Sequence, residues 1–352
     1  MLGITGHALE WLRSYFHHRT QAVAVGDAVS RDAQLKYGVP QGSVLGPKGY
    51  CMYTLPLGAI LQRHNMKYMI YADDTQAYMS ISNASQWENA TNAIAACFND
   101  IRLWMNSNFL KLNDTKTEFI IFSPSNHQFP RELHLKLGDN TVSPSERVRN
   151  LGVILDSHLS MEQQINATTR TCYFHLRSIS KIKKCLPEAT CKTLVQALVI
   201  SRLDYGNALY NGLPNTLVAR LQRVQNAAAR VVCGAKRHEH ITPYLQSLHW
   251  LPVQSRVQYK MLLHTFKAVN QLAPAYMTDL VPLRQNQRSL RSSSRQLIQV
   301  PRTRTARYGD RTFTASAARL WNCLPSKLHD SASVFSFKEL LKTYLFKSAL
   351  NL

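Results

Sequence analysis

The chain lacks any apolar run long enough to span a bilayer: its best stretch, Leu194 to Ile200, falls far short of the roughly 18 residues required. The opening segment, MLGITGHALEWLRSYF, is broken by Glu10 and Arg13 and has no cleavage site, so it does not read as a signal peptide. Paired cysteines are lacking too. The seven present (Cys51, Cys97, Cys172, Cys185, Cys191, Cys233 and Cys323) are odd in number and scattered through a chain too large to need covalent staples. That usage favours a reducing compartment, hence an intracellular location, cytoplasm or nucleus. Cys233, His238 and His240 have ligand chemistry but no second cysteine pair at zinc spacing, and a helix end followed by a polar loop accounts for them.

Acidic residues are scarce in one half only. Residues 1–167 balance 14 basic side chains against 14 acidic ones, whereas residues 168–352 hold 28 against 7 and so carry the whole net charge of +21. With a sequence pI near 9.9, the partner to expect is a polyanion, nucleic acid before an acidic membrane surface. The neutral half is free for chemistry, the basic half for a phosphate backbone. With 352 residues and 45% hydrophobic composition, the chain can bury the cores of one large or two to three modest domains.

Helical and strand-like patterns alternate at first. Leu9, Leu12 and Phe16 share a helical face with Ala8 and Tyr15. QAVAVGDAVSRDAQLKYG alternates about a Gly26-Asp27 turn, as a hairpin does. GVPQGSVLGP, from Gly38 to Pro47, holds three glycines and two prolines in ten residues, which predicts a loop with a fixed, unusual path. Between Ala84 and Asn108, Trp87, Ile94, Phe98, Ile101 and Met105 recur at helical spacing, with Asn83 or Ser85 as cap. FLKLNDTKTEFIIFS then offers two strand-like runs around Asn113-Asp114.

Beyond Ser157 the strand signal fades, and residues 168–185, 189–204, 214–233 and 254–271 each read as helices. Leu217, Leu221, Val224, Ala228 and Val231 form an apolar stripe with Arg220, Arg223 and Arg230 off it. Such arginines are either a solvated face or a grip on a phosphate backbone. From Arg284 to Arg311 eight arginines and no lysine accompany a single acid, Asp310, and guanidinium forks suit phosphate oxygens. The candidate backbone-binding set is Lys181, Lys183, Lys184, Arg220, Arg223, Arg230, Arg288, Arg291, Arg295, Arg302, Arg304 and Arg307.

The stretch MIYADDTQAY raises the chemical question. Neighbouring side chains on a strand point to opposite faces, so Asp73 and Asp74 share a ligand only at a bend, where the pattern puts them. Two adjacent carboxylates repel unless a cation neutralises them, and magnesium, a hard ion, is the natural candidate. Aspartate is equally a favoured turn residue, so spacing alone leaves a metal site and a polar turn both open.

Four blocks in order decide between them: GVPQGSVLGP, YADD about thirty residues later, LKLNDTKTE and NLGVILDS. Together they resemble the palm of reverse transcriptases of LINE-type (non-LTR) retrotransposons. SRLDYGNALYNGLP, LQRVQNAAARVV, HITPYLQSLHWLPV and RLWNCLPSKL are similar to the tails of such elements in vertebrates, so the resemblance spans essentially the whole chain. It implies an α+β fold: a partial right-hand polymerase palm, an antiparallel sheet with packed helices, over residues 1–157. A helical thumb or connection over 158–280 and an Arg-rich segment with a C-terminal helical region over 281–352 would follow. The resemblance makes Asp73 and Asp74 catalytic metal ligands and Gln41, Gly42 and Ser43 the loop that positions template and nucleotide. Lys116 would lie near the triphosphate, and Gly152 in the segment supporting the primer end.

The implied activity is RNA-directed DNA synthesis on an RNA template and DNA primer, with two Mg2+ ions. The family's bridging aspartate lies before the helix resembling GITGHALEWLRSYF, where this sequence starts, and its fingers also lie upstream. The expectation is therefore an N-terminally truncated copy, inactive alone. The alternative is a non-catalytic nucleic-acid-binding protein derived from a retroelement. A further departure is GPKGYCMY, where Lys48 and Gly49 replace apolar residues in a helix expected to pack under the active site, at a cost on the order of 2 to 4 kcal/mol.

Overall fold

A computed structural model describes residues 3–39, 42–82, 86–123, 134–137, 140–284 and 296–350. They form two compact units, residues 1–119 with 127–145 and residues 120–126 with 146–352. Both small antiparallel sheets and helices are present, the mixture expected of an α+β chain. The second unit takes in the hairpin after residue 146.

The first unit opens with helix α1 (Gly6–Phe16). Its amphipathic pattern forms a helix as expected, yet no residue of it is buried and Trp11 is 54% exposed. Strands β1 (Thr20–Gln21), β2 (Ala24–Val25), β3 (Ala28–Val29) and β4 (Ala33–Gln34) make the expected hairpin, closed by Gly26 at φ 60° and Asp27. Helices α2 (Gly46–Thr54) and α3 (Pro56–Arg63) follow, each with a proline in its first turn, where the missing N–H has no helical partner to lose. Lys48 is exposed and a side-chain carbon at Gly49 would meet open space. The expected burial penalty does not arise, because this face of α2 is solvated.

Next come strands β5 (Lys67–Tyr71) and β6 (Asp74–Tyr78), then the long helix α4 (Trp87–Ser107). Leu61, Met66 and Cys97 form a small core, with Tyr68, Met79, Ile94 and Ile101 packed on it. The expected caps Asn83 and Ser85 lie outside the described residues; Gln86 stands at the N-cap, its side chain accepting the Ser82 N–H at 3.1 Å rather than capping the helix. Instead of two strands around Asn113-Asp114, the chain makes a 3-10 turn over Asp114–Lys116. The physical reason lies in partners remote in sequence: Asp114 is held by the Arg102 guanidinium of α4 and, at 3.3 Å, by the Asn140 amide. Strands β7 (Leu135–Leu137) and β8 (Asn140–Val142) complete the unit.

The second unit begins with hairpin β9 (Arg147–Asn150) and β10 (Val153–Asp156), joined by Leu151 and Gly152, both at positive φ. Asp156 is buried and accepts the N–H groups of His158, Ser160 and Met161 and the Ser160 hydroxyl, which starts helix α5 (Glu162–Ile182). Helix α6 (Glu188–Val195) runs through a π turn, Gln196–Ile200, into α7 (Ser201–Asp204). Helices α8 (Asn215–Cys233), α9 (Thr242–Ser247), α10 (Val253–Val269) and α11 (Ala275–Thr278) follow. The four helices expected after Ser157 all form, with shifted ends.

On α8, Leu217, Leu221, Val224 and Ala228 are buried as the stripe predicts, and Val231 is partly buried. Two glutamine amides fasten α8 to the start of α10: Gln225 donates to the Leu251 carbonyl and Gln222 accepts from the Val253 N–H, each at 2.8 Å. Helices α12 (Phe313–Asn322), α13 (Ser326–His329) and α14 (Val334–Leu350) form a second core with α10. There Phe266 stacks on Phe337 with centroids 4.2 Å apart, and the Trp321 indole donates to the Gln296 carbonyl at 2.8 Å. Among the described residues no helix is long and apolar enough to cross a membrane.

Candidate active site

The β5–β6 hairpin sets the geometry of the two aspartates. Tyr71 pairs with Asp74, so the bend falls on Ala72 and Asp73, one residue earlier than a bend centred on the pair. Ala72 takes φ 53°, the left-handed conformation that tight hairpin turns require. Asp73 therefore projects from the turn while Asp74 already starts the return strand beside Tyr71. Both are exposed, and neither makes an ion pair among the described residues.

Tyr50 of α2 lies within electrostatic reach of this turn. Burial pushes its hydroxyl above the ordinary tyrosine value, and the Asp73 carboxylate pushes it the same way. The helix that follows the glycine-proline loop and the aspartate turn are thus neighbours within one unit. Sequence reasoning missed Tyr50, although its place three residues after Pro47 puts it one helical turn into α2.

Within the loop, Gly42 adopts φ 82°, which favours glycine. Ser43, expected to position template and nucleotide, has a structural occupation: its hydroxyl oxygen accepts the Gly46 N–H at 2.9 Å and the Tyr15 hydroxyl at 2.8 Å. The first bond caps the start of α2 and the second ties α1 to the loop. Gln41 lies outside the described residues. Lys116 is exposed at the end of the 3-10 turn.

Asp73 and Asp74 offer oxygen donors of the kind a hard divalent ion takes. Among the described residues, however, no three His, Cys, Asp or Glu side chains come together. The two carboxylates fit part of the ligand shell of one ion, and a two-ion site needs donors beyond them.

In the second unit the basic candidates divide by what they already hold. Arg220 pairs with Glu162 at 3.1 Å and donates to Asn166 at 2.8 Å. Arg230 donates to the carbonyls of Lys236 and Glu239 beyond the end of α8. The Lys183 ammonium lies 3.3 Å from where a side-chain carbon on Gly234 would sit, at the C-terminus of α8 where the helix dipole favours a cation. Lys181, Lys184, Arg223, Arg302, Arg304 and Arg307 are exposed, with Arg307 lying over the Tyr308 ring. Arg288, Arg291 and Arg295 lie outside the described residues. Arg311, not among the candidates, is an internal strut that donates to the carbonyls of Leu159 and Asn211.

The glycine-proline loop before α2, the aspartate turn and the β9–β10 hairpin follow one another along the chain. Residues 3–155 match the model of the reverse transcriptase (RNA-dependent DNA polymerase) family. The chain is 26% identical over 254 residues to the probable RNA-directed DNA polymerase from transposon BS of Drosophila melanogaster, covering 70% of this chain and 28% of that protein. Its identity to the probable RNA-directed DNA polymerase from transposon X-element of the same organism is 24% over 235 residues, covering 64% and 25%. The RNA-directed DNA polymerase from mobile element jockey of Drosophila funebris is 22% identical over 232 residues, covering 64% and 25%. The chain is thus homologous to RNA-directed DNA polymerases of non-LTR, LINE-type retrotransposons. The chain spans about a quarter of the length of these relatives. No solved structure matches it.

Proposed function

We propose that this chain is the palm-bearing part of an RNA-directed DNA polymerase, with the aspartate turn as its metal-binding element and the basic second unit as its grip on nucleic acid. The observation carrying this reading is the exposed Asp73-Asp74 turn beside α2, on a domain homologous to transposon polymerases. In this reading residues 1–157 act as palm, 158–280 as thumb or connection, and 281–352 as an Arg-rich and helical C-terminal region. When bound, Mg2+ would lower the barrier to attack by the primer hydroxyl and spread the charge of the triphosphate. Asp73 and Asp74 would hold it, Gly42 would let the loop backbone approach the substrates, and Lys116 would stabilise leaving-group charge.

Two carboxylates are too few ligands for a two-ion site, so the chain alone is proposed not to polymerise. Primer extension on an RNA template with magnesium or manganese tests this: the expected result is no extended product. Robust product that disappears in Asp73→Asn would overturn the proposal of inactivity while supporting the metal role of Asp73.

A second reading is a non-catalytic nucleic-acid-binding protein. It is favoured by the exposure of Arg302, Arg304 and Arg307, which are free to meet phosphate. It requires binding to a primer-template that weakens steeply with salt. No binding at low salt would remove it.

A further inference from the structure

A cavity of about 480 Å³ opens in the second unit, between the π turn after α6, the end of α9, α10 and α14. That volume is within the range of small-molecule sites. Its floor is apolar, made by Ile200, Leu248, Trp250 and Leu251, with Trp250 only 3% exposed. Its rim is basic. Lys260 and Lys342 both line it, and the acid present, Asp204, is already engaged through both carboxylate oxygens by Arg256, at 3.0 and 2.7 Å. Lys260 and Lys342 thus line the cavity with no ion pair among the described residues.

Two backbone features shape this cavity. The N–H of Ser201 reaches back five residues to the Gln196 carbonyl, and this π turn widens the helix so that Gln196, Ile200 and Ser201 all line the cavity. Single π turns inside helices are uncommon and concentrate at functional positions. At the other side α9 ends with Trp250 N–H bonded to the Leu245 carbonyl and His249 N–H to that of Gln246. This helix-ending motif places His249 at φ 54° on the rim and turns Trp250 inward.

We propose that this cavity binds a single nucleotide, its phosphate on Lys260 and Lys342 and its base over the apolar floor beside Tyr259. A cationic rim selects the phosphate and a flat apolar interior selects a base, which a free phosphate or an acidic peptide does not supply. The nucleotide is either free or part of a single strand. The site is separate from the aspartate turn and does not rest on its metal.

The test titrates the full chain with AMP, with a short single-stranded RNA and with inorganic phosphate by calorimetry. Two variants are compared: Lys260→Gln with Lys342→Gln, which removes the rim charge, and Gln196→Trp, an exposed position whose new side chain obstructs the mouth. Saturable binding of AMP or of the RNA that weakens about tenfold or more in both variants is the expected result. Competition between the two probes assigns the site to a strand nucleotide, and AMP binding without competition assigns it to a free one. Lys327→Gln with Lys347→Gln removes the same charge away from the cavity and is expected to leave binding unchanged. The proposal is overturned if neither probe is weakened by the variants, or if inorganic phosphate competes as well as AMP.

Discussion

Trp321 and Trp11 mark the contrast between the two units: the first is 1% exposed within a cluster of aromatic rings, the second 54% exposed on a helix that buries nothing. The second unit is built of helices whose apolar stripes meet one another, and its cores run from Val153 to Val257 and from Leu251 to Leu345. The first is built around hairpins of two to five residues per strand, and a two-stranded hairpin buries little by itself. Tyr37, Val44 and Phe109, each more than four-fifths exposed, lie in this unit. The aspartate turn thus belongs to the less consolidated unit, and the excess of basic side chains to the better consolidated one.

The contrast breaks most sharply at Trp321. Trp321→Ala removes a side chain packed against Phe266, Phe337 and His329 and is expected to cost the second unit about 3 to 5 kcal/mol, read as a lower midpoint in urea unfolding. Trp11→Ala should move unfolding by no more than about 0.5 kcal/mol.

Asp156 gives the second unit a pH dependence. Burial alone would raise its carboxyl, but the N–H bonds of Ser160 and Met161, the Ser160 hydroxyl and the His158 N–H outweigh burial and hold it below the ordinary aspartate value. A depressed carboxylate stabilises the fold fully above its unfolded value, near pH 4, and that stabilisation is lost as pH falls through the lower folded value. Asp156→Asn is expected to cost about 1 to 3 kcal/mol at neutral pH and to flatten this acid limb. An unchanged acid limb in the variant would assign it to other carboxylates.

For nucleic acid, the triple change of Arg302, Arg304 and Arg307 to Gln should lower the slope of log affinity against log salt by up to about 0.9 per arginine. The same count of changes at Arg19, Arg31 and Arg63 in the first unit should lower it less. A small effect in the opposite direction is expected of Gly49→Ala, which fills open space in α2 and should stabilise the first unit by about 0.5 to 1 kcal/mol in a thermal melt.

The same difference in packing governs what could be read in advance. Helical stripes such as Leu217, Leu221, Val224 and Ala228 were legible because a period of 3.6 residues fixes a buried face. The hairpin turns at Gly26-Asp27 and at the aspartates were legible because few residues suit tight turns. The turn at Asp114 was not, since it depends on Arg102 and Asn140, which are distant in sequence. Of the site, the Asp73-Asp74 bend was found to within one residue. The occupations of Ser43, Arg220 and Arg230 were hidden, because local pattern does not reveal which hydroxyl or guanidinium the fold uses for itself.

The central proposal, that Asp73 and Asp74 form part of a metal site on the part of the chain that matches reverse transcriptases, is tested most directly by Mn2+ titration of the full chain. The account predicts at most one weakly bound ion per chain, lost in the Asp73→Asn, Asp74→Asn double variant with the urea midpoint unchanged. Two tightly bound ions, or binding unaffected by the double variant, would contradict it.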